Sequence, residues 1–188
     1  MISHQHKFLF IHVPRTGGSS IEYQFDYKEG QEKNKHWNLN SWKNHLNSED
    51  FESYFKFTFV RNPWDILISK YVCNWYSLKN QGGEIGYQSG KSLKYFLDHY
   101  QPAEHERGDG LLDYFDPKQM DFIARFENRN KDLEYISNKI GFNIDANTKR
   151  RHHRRKKHYT EYYDDETREI VAKRYAKDID YFGYRFGE

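Results

Sequence analysis

Two short stretches of the 188-residue chain collect the residue types that handle phosphate. The first is Pro14, Arg15, Thr16, Gly17, Gly18, Ser19, Ser20: a cation, two glycines that let backbone N–H groups approach a ligand, and hydroxyls where a helix should open. Unpaired N–H groups and the positive end of a helix point the same way there, which suits an anion. Glycine pairs before helices also occur in turns that bind nothing, so this stretch alone leaves both readings open. The second is Arg61, followed by Asn62, Pro63 and a segment holding Ser69. Ser69 lies two helical turns beyond Asn62 and returns to the face of the cap, where a long arginine could meet it at one anion. The plainer alternative is an arginine paired with a surface carboxylate and a serine bonded to its own helix. Together the two stretches predict a ligand with two separated phosphates.

A nucleoside triphosphatase or kinase would need GxxxxGKS or GxxxxGKT to wrap phosphates and hold magnesium. PRTGGSS lacks the upstream glycine and the lysine before serine, and the residues ending the two strands, Val13, Pro14 and Arg61, Asn62, offer no carboxylate for a metal. A metal-free phosphate site is expected.

The elements that must position these residues follow from pattern. Phe8 to Val13 reads as a strand, and a helix follows from Ser19 or Ser20 through Tyr27, with Ile21 and Phe25 four apart. Residues 28–47 are polar and poorly periodic, with a short strand entering Lys35, His36 and Trp37; Ser48 is placed to cap a helix. A second strand runs from Lys56 to Arg61. Asn62 then caps a helix with Pro63 at its first position and Trp64, Leu67, Ile68, Tyr71, Val72 and Trp75 along one face. Four glycines between Gln81 and Gly90 mark a flexible loop. A helix near Ser92 to Tyr100, a third strand from Asp121 to Phe126, a helix from Asn130 to Ile140 ending at Gly141, and a last helix opened by Asp164, Asp165 and Glu166 and running past Lys177 complete the order. Strand and helix in alternation predict an α/β fold with a central parallel sheet and helices on both faces. With no repeat or long linker, residues 1–188 read as a single domain.

Apolar residues make up 36% of the chain and include 14 Phe, 16 Tyr and 4 Trp, enough for a packed interior. Cys73 has no second cysteine for an intramolecular disulfide or a thiolate metal cage, so the core must hold the fold. No stretch approaches the ~18 apolar residues of a spanning helix, and MISHQHKFLF has no secretory apolar region; a soluble, cytoplasmic protein is expected. The net charge of +2 hides an asymmetry. Lys149 to His158, KRRHHRRKKH, carries seven Lys or Arg and no acid, and taking those seven charges away leaves −5 on the rest. Such a ribbon is a solvated loop, a nucleic-acid patch, a patch for an acidic glycan, or a clamp over a phosphate ligand.

At this point the chain resembles the PAPS-dependent sulfotransferases, in particular the carbohydrate branch with its heparan 2-O- and chondroitin-type enzymes and small microbial relatives; PAPS is 3′-phosphoadenosine 5′-phosphosulfate. FIHVPRTGGSSIE resembles the family's 5′-phosphosulfate loop, usually FIHIPKTAGTSIE, and FTFVRNPWDILISKY its 3′-phosphate motif, FVRNPWDRLVSxY. DFIARFEN and YYDDETREIVAKRYAKDIDYFGY are further matches.

The resemblance implies a P-loop-like sulfotransferase fold and transfer of a sulfuryl group from PAPS to a hydroxyl, leaving 3′,5′-phosphoadenosine (PAP), without a metal. It assigns the 5′-phosphosulfate to Arg15, Thr16, Gly17, Gly18, Ser19 and Ser20, and the 3′-phosphate to Arg61 and Ser69. Arg15 stands where the family usually has Lys; it keeps the charge but is a poor proton donor, so charge neutralisation is expected of it. The general base expected by resemblance is His36, in the pair Lys35, His36, with Glu22 as runner-up; His12 reads as strand packing. Lys156 is the counterpart of a basic residue in a loop, NxSxRxxY, that folds over the nucleotide. The acceptor expected is a glycan hydroxyl. Rival readings are a nucleic-acid binder using residues 149–158, a kinase-like nucleotide enzyme, and a PAPS- or PAP-binding protein without turnover.

Overall fold

The computed structural model describes residues 1–25, 34–73, 90–102, 108–148 and 157–188. Ile2–Ser3 (β1) pairs antiparallel with Phe8–Ile11 (β2); β2 pairs in parallel with Phe55–Val60 (β3), and β3 in parallel with Phe122–Arg125 (β4). The three expected strands are therefore present and parallel. The sheet is mixed because of β1, a two-residue edge that no apolar run announces.

The helices of the described residues are α1 (Ser19–Gln24), α2 (Leu39–His45), α3 (Ser48–Ser53), α4 (Pro63–Cys73), α5 (Leu93–His99), α6 (Arg129–Ile140), α7 (Asp165–Arg174) and α8 (Ala176–Phe182). Two compact units share them. The first, Met1–Arg61 with Glu104–Arg151, holds the whole sheet with α1, α2, α3 and α6; the second, Asn62–Ala103 with His152–Glu188, holds α4, α5, α7, α8 and a 3₁₀ turn at Tyr159–Tyr162.

In the first unit the period of two along each strand separates two buried sets. Phe8, Phe10, Phe57, Phe59 and Ala124 join Ile21 of α1 and Leu133, Ile136 and Ile140 of α6 in one core. The alternate residues Leu9, Ile11, Thr58 and Val60 are also fully buried, so both faces are covered, as parallel sheets require. α6 stops at Gly141, whose φ of +64° makes the left-handed turn that glycine adopts without strain.

Three details differ from expectation. Lys35 to Trp37 do not form a strand: Trp37 N–H donates to Asn34 O at 3.2 Å, and the Asn38 side chain accepts from Ser41 N–H to start α2, so the backbone turns. α3 is capped by Asn47, with Ser48 its first residue. The last helix breaks at Tyr175, where φ −112° and ψ 25° end α7 and begin α8, so Lys177 belongs to α8. Tyr175 is buried, a packing demand invisible among its charged neighbours.

In the second unit α4 begins as predicted, with Asn62 Oδ1 accepting from Trp64 N–H at 3.1 Å. Trp64, Leu67, Ile68, Tyr71 and Val72 are buried, and so are Asp65, Ile66 and Lys70. The helix is enclosed all round, and Ser69 is its one partly exposed position. Trp64 is core: its Nε1–H donates to Arg168 O at 3.0 Å, and its carbonyl accepts from the Tyr163 hydroxyl at 2.8 Å. Residues 74–89, which hold Trp75 and nearly all of the glycine-rich segment, lie outside the described residues.

Candidate active site

The chain leaves β2 through His12, Val13 and Pro14 and enters α1 by a loop that bends twice into left-handed backbone, at Arg15 (φ 66°) and Gly17 (φ 88°). Glycine tolerates that region; an arginine there is strained by about 1–2 kcal/mol. The Thr16 hydroxyl donates to Val13 O at 2.8 Å and closes the turn. The first helical bonds of α1 run from Ser20 N–H to Gly17 O and from Ile21 N–H to Gly18 O, so the Gly18 and Ser19 amides precede the helix's own ladder.

Gly18 is required by a close neighbour, and Gly17 by its left-handed backbone, with tight neighbours besides. A Cβ on Gly18 would fall 2.4 Å from the His12 ring, and one on Gly17 would fall 3.0 Å from Arg129 Nη1 and 3.1 Å from the Phe126 ring. Arg61, at the end of β3, is buried against the same loop: its Nη1 donates to Arg15 O at 2.9 Å, and its guanidinium lies 4.0 Å from the centre of the Phe126 ring.

Beside the loop lies a cluster of titratable groups. His12 Nδ1 donates to Glu22 Oε1 at 2.8 Å, Lys35 Nζ stands 3.6 Å from Glu22 Oε2, and His36 Nδ1 donates to His12 O at 3.0 Å. The two imidazole rings are 4.5 Å apart. Burial pushes His12 below its ordinary 6.5 by more than the Glu22 carboxylate pulls it up. Burial pushes Glu22 the other way, upward, but the charge and hydrogen bond of His12, and then Lys35, outweigh it and hold Glu22 below its ordinary 4.5. At neutral pH the pair is a neutral imidazole donating to a carboxylate whose countercharge is Lys35. The turn carrying His36 is fixed by the adjacent α2: Leu39 N–H donates to Tyr114 O at 2.7 Å, and Trp37 packs edge-on against Trp42.

The structure thus gathers Arg15, Thr16, Gly17, Gly18, Ser19, Ser20, Glu22, His36 and Arg61 within the first unit. Ser69 belongs to the second unit, on α4. Lys156 lies outside the described residues, as does the basic ribbon except for Lys157 and His158, both exposed. Sequence reasoning assigned no role to His12 beyond packing and none to Arg129. A signal for Arg129 existed: it is the first residue of α6, where a cation opposes the helix dipole.

Among the described residues no helix is long and apolar enough to cross a membrane. Comparison with protein families matches the chain to the sulfotransferase family over residues 1–185. No curated protein matches it, and no solved structure does. With all but the last three residues inside the family match, the chain belongs to the sulfotransferase family.

Proposed function

We propose that this sulfotransferase moves a sulfuryl group from PAPS to a carbohydrate hydroxyl, with His36 as the general base. The observation that carries the reading is the bond from His36 Nδ1 to His12 O. A carbonyl only accepts, so Nδ1 holds the hydrogen and Nε2 of the neutral ring holds the lone pair that a base needs. Glu22 and Lys35 fix His12, and His12 fixes His36. Glu22 is almost fully buried and already accepts from His12, which favours an orienting role for it over that of base.

The loop fits a phosphosulfate. Gly18 has no room for a Cβ and Gly17 is held in left-handed backbone beside tight neighbours, so the loop is built of bare backbone that a ligand can approach, and Arg15 adds positive charge. When bound, PAPS supplies a sulfuryl group activated by a phosphate leaving group. Arg15, Thr16, Gly17, Gly18, Ser19 and Ser20 would hold its 5′ end, with Arg15 neutralising charge. For Arg61 and Ser69 at the 3′-phosphate, and for Lys156, support comes from the sequence motifs; the carbohydrate acceptor rests on the likeness of those motifs to the carbohydrate branch.

Thermal unfolding with PAP tests the binding half: stabilisation in the wild type, little with ATP, and loss in Arg61→Ala are expected. Transfer of labelled sulfate to a panel of glycans tests the chemistry. His36→Ala should lower turnover by about 10²- to 10⁴-fold while keeping the PAP-induced shift. Binding of PAP without transfer to any acceptor would reduce the protein to a nucleotide binder, and absence of any PAP shift would remove the whole reading.

A further inference from the structure

Arg129 carries an unanswered charge. Both terminal nitrogens of its guanidinium are closed off from solvent and make no hydrogen bond among the described residues. The group lies near the Phe59 ring, with 5.7 Å to its centre, and Nη1 lies 3.0 Å from where a Cβ on Gly17 of the loop would fall. Burial draws it below the usual arginine range, yet an arginine stays protonated at neutral pH. Its position at the first turn of α6 adds the repulsion of the helix dipole. A desolvated cation without a counter-ion destabilises the fold, and a surface glutamate or a methionine in its place would remove that burden. Nothing in the packing of the apolar core calls for the charge. What lies against it is the glycine loop, proposed above to meet an anion.

We infer that Arg129 is a positioning residue of the 5′ anion subsite, a buried positive charge beneath Gly17 whose counter-ion is the phosphate or phosphosulfate group seated on the loop. This rests on the reading of the loop given above and adds to it a residue outside the two nucleotide motifs. The charge acts through the loop rather than by touching the ligand. In the low dielectric around Phe59 and Phe126 it is screened far less than a surface lysine, so its attraction for an anion persists in salt. The same arrangement suits glycine at position 17: its left-handed backbone disfavours a side chain, and a Cβ would crowd the guanidinium at 3.0 Å.

Three proteins and two ligands test this. Wild type, Arg129→Met and Arg129→Lys are compared by unfolding temperature without ligand and by calorimetric affinity for PAP and for adenosine 3′-phosphate, which lacks the 5′ anion. In Arg129→Met the affinity for PAP should fall about tenfold, an amount equivalent to about 1.4 kcal/mol. Affinity for adenosine 3′-phosphate should be unchanged, and the ligand-free melting temperature should hold or rise. Arg129→Lys, which keeps the charge, should recover most of the PAP affinity. A merely structural arginine gives the opposite pattern: Arg129→Met melts lower and binds both nucleotides as the wild type does, which overturns the inference and leaves the PAPS reading standing. Equal losses for both nucleotides also overturn it, since the 5′ anion is then not the partner. If the wild type binds neither nucleotide, the PAPS reading falls and the inference falls with it.

Discussion

His12 joins the loop to His36, the proposed base, and its position can be read in stability as well as in turnover. Its ring fills the space over Gly18, its Nδ1–H holds Glu22, and its carbonyl holds His36. Because burial lowers its folded value below the unfolded 6.5, the unfolded chain takes up a proton first as the pH falls. Stability from this group is therefore complete above 6.5 and is lost as the pH drops from 6.5 through the folded value. Glu22 acts in the same direction further down, contributing above its unfolded 4.5 and losing that contribution as pH falls through its lower folded value. The melting temperature should decline gently from about pH 8, where the buried Met1 amino group, lowered by burial from 8.0 to about 5, begins to contribute, and more steeply below about pH 6.5. His12→Asn, whose amide can still donate to Glu22, should flatten the steeper part of the decline; an unchanged slope would assign it to another group, the buried Met1 amino group or another histidine. His12 was legible as a buried strand-end residue, but its partners were not, because Glu22 and Lys35 are brought to it by the turn and by α1 rather than by proximity in sequence.

At the scale of elements, the loop between β2 and α1 is built around clearances. Gly18→Ala places a methyl 2.4 Å from the His12 ring, which must move and take the Glu22 and His36 bonds with it. Such overpacking costs about 1–3 kcal/mol. For a chain of this size the melting temperature should drop by about 2–4 °C per kcal/mol. Differential scanning calorimetry would show the drop, and PAP affinity should fall with it; Gly141→Ala serves as a contrast, since its penalty comes from φ alone with nothing within 4 Å. The strands, α4 and α6 were legible because apolar spacing, Asn62 and Gly141 each mark a boundary by a distinct physical device. α2 was not, because only Leu39 and Trp42 bury apolar surface in an otherwise polar segment, and Asn38 marks its start without a periodic face to follow. The turn and helix start of the glycine loop were legible from its residue types, whereas the tie between Arg61 and the Arg15 carbonyl depends on β2 and β3 being neighbours, which no local pattern states.

For the molecule as a whole, each unit is assembled from two separated stretches of chain. The core of the first needs Ala124 of β4 and Leu133, Ile136 and Ile140 of α6 to cover Phe8, Phe10, Phe57 and Phe59. A fragment of residues 1–103 lacks all four and should show no cooperative thermal transition by circular dichroism, while the full chain should; a sharp transition in the fragment would place the stability of β2 and β3 elsewhere. Interleaving also has a temporal side. On the ribosome β3 is complete at Val60, but α6 is not finished until Ile140. At about 5–20 residues per second that interval lasts about 4–16 seconds. For that time a phenylalanine-rich strand pair waits without its cover, which exposes the nascent chain to holding chaperones and ties the yield of folded protein to the pace of translation between the end of β3 and the end of α6.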